Sequence, residues 1–230
     1  MRIVNPGGLV VGTETASGKN VSIDVQVPKP TLWTYESDSP NIYTVEVQCG
    51  NFVERERFGY RFFGLDKDGM TFNGKRMKIN GVCLHEDNGC VGMESNVSMI
   101  EWKLRKMKKM GCNSIRTAHN PFSRQFIDAC DRLGLIVIEE MYDCWWLTRE
   151  GNTYDFARFF TEHYAEATRN TVRRDVNSPS ILMWTVGNEI KLDSYTYDQV
   201  NAFLPEFISV IREIDKTRAI TMGNDQINKT

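Results

Sequence analysis

Residues 181–189 of this 230-residue chain, Ile181-Leu182-Met183-Trp184-Thr185-Val186-Gly187-Asn188-Glu189, form an apolar run that ends in an amide and a carboxylate. A continuous apolar run of this kind is typical of a strand that is buried on both faces of a parallel sheet. Amphipathic stretches on either side, at about 154–175 and 197–214, predict helices. The run is therefore predicted to be one strand in a series of alternating strands and helices.

The same alternation extends outward over most of the chain. Further strands are predicted at 82–85, 114–116, 135–139 and 219–222, and further helices at 96–110 and 123–133. A doubly wound sheet normally carries a glycine-rich phosphate turn after its first strand, but His85-Glu86-Asp87 stands at that place. The pattern favours an α/β fold, a partial (β/α)8 TIM barrel with about five of the eight strands.

The first 65 residues have a different periodicity. Alternating apolar and polar residues at 21–27 and 42–48 predict strands buried on one face, as in a β-sandwich. Trp33, in the proline-rich loop between them, is predicted to pack in the core rather than to offer a platform for a sugar. Asn73-Gly74 predicts a tight turn between two short strands. A domain boundary is expected near residues 64–68.

Composition and charge narrow the class of protein. The chain is 41% hydrophobic and 25% charged, which is typical of a globular protein with a packed core. The longest apolar runs are far below the ~18 residues that a membrane-spanning helix needs. Since 28 basic and 30 acidic residues leave a net charge of -2, no overall field attracts nucleic acid or anionic lipid. Neither nucleic acid nor a membrane is expected as a partner.

The cysteines and the first residues bear on the compartment. Six cysteines without C-x-x-C spacing predict reduced thiols rather than a zinc site or a disulfide scaffold. Residues 1–8 contain no apolar core of signal-peptide length, which favours the cytoplasm without deciding the compartment. The oligomeric state is also left open.

Polar residues follow the predicted strands where each strand ends, and we call this edge of the barrel the rim. Carboxyl ends of parallel strands meet at one face, where barrel enzymes carry their chemistry. Carboxylates, histidines and tryptophans together suit a sugar pocket, because aromatic rings stack on sugars and carboxylates supply acid, base and nucleophile. The candidates after the first four strands are His85, Glu86 and Asp87; Arg116, His119 and Asn120; Glu139, Glu140, Asp143, Trp145 and Trp146; and Asn188 and Glu189.

Two long motifs resemble the signatures of glycoside hydrolase family 2. The first is Asn-Ser-Ile-Arg-Thr-Ala-His-Asn-Pro at 113–121, followed by Cys-Asp-Arg-Leu-Gly-Leu at 130–135, and the second is 177–189. Phe-Gly-Tyr-Arg at 58–61 resembles the end of the family's immunoglobulin-like domain. The resemblance implies part of an immunoglobulin-like β-sandwich at 1–65 and the N-terminal portion of a TIM-barrel catalytic domain at 66–230.

The resemblance also implies roles for nine of these candidate residues. Glu189 would be the general acid/base, and Asn188 would hydrogen-bond the sugar 2-hydroxyl. The other residues would contact or support the site: His85, His119, Asp143, Trp145 and Trp146 as substrate contacts, and Arg116 and Glu140 as supporting residues.

Some positions depart from the family pattern and bear on the substrate. Ser178 stands where the family usually has histidine, Val176 where it often has a basic residue, and Asn120 where many members have tyrosine. The sequence at 120–121 and at 187–190 resembles the β-galactosidase branch of the family more than the β-glucuronidase branch. The implied function is a retaining exo-glycosidase for terminal β-galactosides, with a β-glucuronidase-like or β-mannosidase-like member as the alternative.

A retaining glycosidase needs a second carboxylate ~5 Å from the first, as the nucleophile. In the family this residue lies on a late barrel strand, well beyond the acid/base. After Glu189, only Asp225 follows a predicted strand, and we do not assign it this role; Asp193 and Asp198 flank a helix start. We therefore expect the chain to be a piece of a longer enzyme and to be inactive alone.

No metal or other cofactor is expected. The best-known family members bind magnesium through a carboxylate and a histidine after the third strand, and residues 141–146 contain no histidine. Glu139, Glu140 and Asp143 are the candidates for a divalent site, although a hydrogen-bonded carboxylate cluster is the preferred interpretation. Two other functions stay open: a non-catalytic carbohydrate-binding or scaffold protein, and a metal-dependent hydrolase.

Overall fold

The computed structural model describes residues 1–94, 96–148, 154–190 and 197–224, which form three β-sheets and four α-helices. The first sheet is antiparallel, in the order β2-β1-β3-β4. Its strands are β1 (Arg2–Val4), β2 (Val10–Thr13), β3 (Tyr43–Cys49) and β4 (Phe52–Phe58). β3 confirms the strand predicted at 42–48.

The strand predicted at 21–27 is wrong. These residues alternate in exposure, as the pattern indicates, but they form no strand. The segment passes close to β2, where the side chains of Val25 and Val27 lie near Gly12. Alternation reports which side chains face inward, whereas a strand also needs a partner for its backbone hydrogen bonds.

The second sheet is a small antiparallel meander. It contains β5 (Phe63–Asp66), β6 (Gly69–Phe72) and β7 (Lys75–Met77). Asn73 and Gly74 join the last two strands with φ angles of 49° and 81°, which confirms the predicted tight turn. The domain boundary between residues 65 and 66 stays a prediction.

The third sheet is parallel and has five strands. These are β8 (Gly81–Leu84), β9 (Ser114–Thr117), β10 (Ile136–Glu140), β11 (Ile181–Asn188) and β12 (Ala219–Gly223). They pair in chain order. A doubly wound sheet reverses its strand order, so this order confirms the partial barrel.

Four helices connect these strands and cover one face of the sheet. They are α1 (Val97–Lys109), α2 (Arg124–Leu133), α3 (Ala157–Asp175) and α4 (Tyr197–Arg212). Each contacts the next one in the chain. The inward face of each helix contributes a fully buried side chain to one core: Leu104, Ile127, Phe160 and Phe207.

Local signals set the helix ends. The Asn96 side chain accepts hydrogen bonds from the backbone N–H groups of Ser98 and Met99 and caps α1. Gly134 ends α2 in the left-handed conformation, with φ of 69°. α3 begins at Ala157, later than predicted, where the Asp155 carboxylate accepts the Ala157 N–H.

Trp33 packs where the first two sheets meet the barrel. Its side chain is fully buried, and its indole N–H donates to the backbone oxygen of Asp131 at 2.9 Å. The predicted core role is confirmed, and the alternative of a sugar platform is wrong. Among the described residues, no helix is both long and apolar enough to cross a bilayer.

Candidate active site

The rim is built by β8 to β11 and by the loops that follow them. Parallel pairing places Leu84 opposite Thr117 and Glu140 opposite Thr185, so these strands end close together. Several of the polar residues that end these strands therefore lie close together, whereas Glu86 accepts the Ser123 N–H at 3.1 Å and Asp87 accepts the Gly89 N–H at 2.9 Å. His85 and His119 contact each other edge to face, with ring centroids 5.1 Å apart.

Glu140 is the centre of a hydrogen-bond network on the rim. Its side chain is fully buried and accepts from Arg116 Nε and Nη2 at 2.9 and 2.5 Å. Its other oxygen lies 2.6 Å from His119 Nδ1. Thr117, which the sequence analysis did not name, accepts the Glu140 backbone N–H at 2.9 Å. The predicted supporting residues Arg116 and Glu140 thus contact each other directly.

The network continues from Glu140 to Asn188. Arg116 Nη2 also donates to Asn188 Oδ1 at 2.7 Å, while Asn188 Nδ2 donates to Asp143 Oδ1 at 2.8 Å. The Asn188 amide is therefore held with a known orientation, its oxygen toward the guanidinium and its nitrogen toward a carboxylate. Charge-assisted bonds of this kind fix side-chain geometry.

Glu189 lies at the end of this arrangement and is exposed. Its backbone has φ of 46°, a conformation that is uncommon for residues with a side chain. Its N–H donates to the Gly223 carbonyl at 2.7 Å, which ties the turn after β11 to β12. A Cβ on Gly223 would lie 2.8 Å from Arg116 Nη2, so a larger residue there would displace the guanidinium from its present position.

The electrostatics of Glu140 reflect two opposing effects. Burial raises the pKa of this carboxyl above its ordinary value, while the hydrogen bonds from His119 and Arg116 act to lower it. The Arg116 guanidinium therefore offsets part of the cost of burying this carboxylate.

Of the two tryptophans after β10, Trp145 is buried and Trp146 is partly buried. Trp145 is 2% exposed, and its indole N–H donates to the Val186 carbonyl at 2.7 Å. Its ring packs against Phe160 and Phe203, which Trp146 also contacts. Because helices α3 and α4 cover this part of the rim with aromatic side chains, both tryptophans belong chiefly to the core. Their role as sugar contacts remains a prediction.

The predicted cluster of Glu139, Glu140 and Asp143 is wrong. Successive residues of a strand point to opposite faces, so Glu140 faces the rim network while Glu139 faces α3, where Arg174 Nη2 lies 3.4 Å from its Oε1. The described residues contain no group of three or more histidine, cysteine, aspartate or glutamate side chains that could hold a metal ion.

A cleft of about 470 Å³ opens beside the network, a size within the range of small-molecule pockets. Five of the candidate residues named from the sequence line it: His85, His119, Asn120, Asp143 and Trp145. Sequence reasoning missed the apolar part of its lining, which comes from the segment after β10 and from α3: Tyr142, Leu147, Phe156 and Ala157. The apolar residues of the segment after β10 are the sequence signal that could have indicated this part of the lining. Asp193 and Asp225, named above among the acidic residues after Glu189, lie outside the described residues.

The parallel barrel sheet carries carboxylates, histidines and an arginine at the carboxyl ends of its strands. This arrangement is typical of barrel enzymes. Comparison with known families gives the family: residues 63–230 match the model described as "Glycosyl hydrolases family 2, TIM barrel domain". The chain belongs to glycoside hydrolase family 2.

Relatives and solved structures agree with this membership. The chain is 34% identical to the beta-galactosidase BoGH2A of Bacteroides ovatus, over 94% of this chain and 29% of that protein. It is 32% identical to a putative beta-glucuronidase of Formosa agariphila, over 97% of this chain and 21% of that protein. A family 2 structure from Bacteroides cellulosilyticus matches with a TM-score of 0.85 and 31% identity, over 97% of this chain and 30% of that one. The chain thus spans under a third of the length of these relatives.

Proposed function

We propose that this chain carries the acid/base part of a retaining exo-β-glycosidase site that acts on terminal β-galactosides. The observation that supports the proposal most strongly is the placement of Asn188 and Glu189. Asn188 ends the buried strand β11 and Glu189 follows it, and the Arg116, Glu140 and Asp143 network fixes Asn188. Membership of a glycoside hydrolase family supports the same reaction class.

Each residue of the rim receives a role in this mechanism. Glu189 protonates the leaving oxygen and then activates water, and Asn188 binds the hydroxyl next to the anomeric carbon. His85, His119 and Asp143 line the cleft and contact the sugar. Arg116 and Glu140 hold these groups in position. A nucleophilic carboxylate is also required, and we assign that role to no described residue.

The charge of the cleft supports a neutral sugar over a glucuronide. Asp143 and Asp155 both line it, and among the described lining residues none is lysine or arginine. Arg116 is already bound to Glu140 and Asn188. A uronic acid carboxylate would need a cationic partner to compensate for its desolvation. The relatives include both beta-galactosidases and beta-glucuronidases, so they do not decide between the two sugars. The proposal of a galactoside therefore rests on the charge of the cleft.

The test replaces Glu189 with Gln in the protein produced from its natural reading frame. Gln keeps the shape of the side chain but transfers no proton, so we expect ~100- to 10,000-fold slower turnover of an alkyl β-galactoside. An activated dinitrophenyl β-galactoside needs no protonation and should still form the glycosyl-enzyme. Azide should then restore its turnover by replacing water as the second nucleophile.

The matched control is Glu162→Gln, which removes a carboxylate on the surface of α3 and should leave both rates unchanged. Equal losses on both substrates without azide rescue would remove Glu189 from the acid/base role. Faster hydrolysis of an aryl β-glucuronide than of the matched galactoside by the unaltered protein would overturn the assignment of the sugar.

A further inference from the structure

Strand β11 is irregular just before the residues that carry the proposed chemistry. Between Thr185 and Asn188, three steps along β11 correspond to two steps along its neighbour β12. One residue of the pair 186–187 is therefore extra, and we call this pair the bulge. A β-bulge bends its strand and re-aims the side chains that follow it. The direction of Glu189 therefore depends on how the bulge is held.

The segment after β10 contacts the bulge where the ladder between β10 and β11 ends. The last paired residues of that ladder are Glu140 and Thr185. Beyond them, the indole N–H of Trp145 donates to the Val186 carbonyl at 2.7 Å. A Cβ on Gly187 would lie 2.7 Å from the same indole nitrogen, so the indole lies directly against this backbone. A side chain thus replaces a strand as the partner of the bulge on this side.

The indole of Trp145 is itself fixed in place. Its buried ring stacks on Phe160 of α3 with an interplanar angle of 11° and contacts Phe203 of α4 edge to face, with centroids 5.1 Å apart. Its backbone has φ of 57°, a left-handed conformation that is unusual for a bulky residue. Such a conformation persists only where the surroundings fix it. The indole N–H therefore has a defined position against the bulge.

Asn188 and Glu189 differ in how strongly they depend on the bulge. The Asn188 side chain is anchored by Arg116 and Asp143, and its backbone N–H donates to the Asp143 carbonyl at 3.0 Å. Glu189 lies one residue further on, and its side chain is exposed. A rotation of the backbone at the bulge therefore moves the Glu189 carboxylate while these anchors retain the Asn188 side chain.

We propose that Trp145 is a positioning residue for the general acid/base: its indole N–H fixes the bulge of β11 and thereby the direction of Glu189. Trp145 acts through the backbone of Val186 and Gly187 rather than through a contact with the sugar. The inference rests on the proposed glycosidase function and adds a residue on which the alignment of the acid depends.

The kinetic test uses Trp145→Phe in the protein produced from its natural reading frame. Phe keeps an aromatic ring in the core but has no N–H for the Val186 carbonyl. An alkyl β-galactoside needs protonation of its leaving oxygen, so we expect its kcat/KM to fall ~10- to 100-fold, as misplacement of a catalytic group by ~1 Å does. A dinitrophenyl β-galactoside needs no protonation, and its kcat/KM should stay within about threefold.

Two further variants bracket this result. Gly187→Ala changes the same contact from the other side, because its Cβ would displace the indole, and should show the same selective loss. Trp184→Phe is the matched control, since Trp184 is a buried tryptophan of the same strand whose indole N–H donates to Asp215 Oδ2 at 2.8 Å. It should leave the ratio of the two kcat/KM values unchanged. Equal losses on both substrates in Trp145→Phe would make Trp145 a structural residue or a sugar contact and overturn the proposal.

A double-variant cycle tests whether Trp145 acts through Glu189. If it does, adding Trp145→Phe to Glu189→Gln should leave the ratio of the two kcat/KM values where Glu189→Gln alone puts it, because no acid is left to align. A further fall of ~10-fold in that ratio would show that Trp145 acts on the substrate directly, contrary to the proposal.

Hydrogen exchange separates this proposal from the glycosidase assignment, because it needs no turnover. The backbone N–H groups of Asn188 and Glu189 donate to the Asp143 and Gly223 carbonyls. We expect Trp145→Phe to accelerate exchange in a peptide that spans 186–190 by ~10-fold, and by more than Trp184→Phe does. If exchange is accelerated but Glu189→Gln slows both galactosides equally, the hold of Trp145 on the bulge stands and the proposed reaction fails. Unchanged exchange would overturn the role of Trp145, whatever the reaction.

Discussion

At the residue scale, Glu139 is a buried carboxyl with an incomplete set of partners. Arg174 Nη2 lies 2.5 Å from Asp175 Oδ2 but 3.4 Å from Glu139 Oε1, so the guanidinium is bound mainly to Asp175. Glu139 Oε2 has no hydrogen-bond partner among the described residues. Burial, with the neighbouring Asp175 carboxylate, raises the pKa of Glu139 well above its ordinary value.

A raised pKa makes the contribution of Glu139 to stability depend on pH. Below the pKa of the unfolded state both states are protonated. As pH rises above it, only the unfolded chain ionises, and stability falls by at most about 1.4 kcal/mol per pH unit. At pH 5 we expect the Glu139→Gln variant and the unaltered protein to have similar free energies of unfolding. At pH 8 we expect the variant to be the more stable of the two.

Thermal unfolding at the two pH values measures this difference. Glu166→Gln, on the exposed face of α3, controls for the loss of one charge and should show no pH-dependent gain. A stability difference that stays constant between pH 5 and pH 8 would mean that Glu139 is ionised in the folded protein.

At the scale of the element, three charged side chains hold the beginning of β11. Asp131 on α2 accepts the Ser180 N–H at 3.0 Å, and Arg218 donates to the carbonyls of Ser178 and Ile181 at 2.9 and 2.8 Å. Arg61 donates to the Pro179 carbonyl at 2.6 Å and also to that of Ile181. These hydrogen bonds provide partners for the backbone groups at the beginning of the strand, where they enter the core.

Arg61 is the member of this group that comes from the segment between β4 and β5, which precedes the parallel sheet. Arg61→Met would leave two carbonyls with fewer partners, so we expect a loss of ~2 kcal/mol in the free energy of unfolding. Urea denaturation measures it. Arg55→Met, which breaks an exposed ion pair with Glu46, should cost less than ~1 kcal/mol. Equal shifts for the two variants would show that Arg61 is an ordinary surface contact.

At the scale of the whole molecule, the parallel sheet is open. β8 and β12 each have one partner among the described residues, and they do not pair with each other. An open parallel edge exposes backbone groups that can pair with another chain. Packed apolar residues such as Val82 and Ile220 lie in these two edge strands.

We expect the isolated 230-residue chain to self-associate through these edges. Sedimentation velocity at 1 to 100 µM should show oligomers that increase with concentration. Thr221→Lys places a charge on the exposed side of β12 and should reduce the association. A monomer over this whole range, without binding of a dye to apolar surface, would contradict the prediction.

The sequence by itself determined the barrel elements and the composition of the rim. Apolar runs such as 181–188 bury both faces of a strand, and the intervening amphipathic stretches can only cover them, so the strands, the helices and their order follow from periodicity. The polar residues that end each strand must then meet at one edge. For this reason the pattern of residues alone is enough to place Asn188 and Glu189 on the rim.

Only the tertiary structure decided which of those residues act together. A strand pattern does not say which face meets the core, so the choice of Glu140 rather than Glu139 for the rim network depended on the packing of α3. The burial of Trp145 required aromatic residues from two distant helices, and the missing strand at 21–27 required knowledge of a pairing partner. Contacts between residues far apart in the chain are fixed by packing, and local sequence carries no record of them.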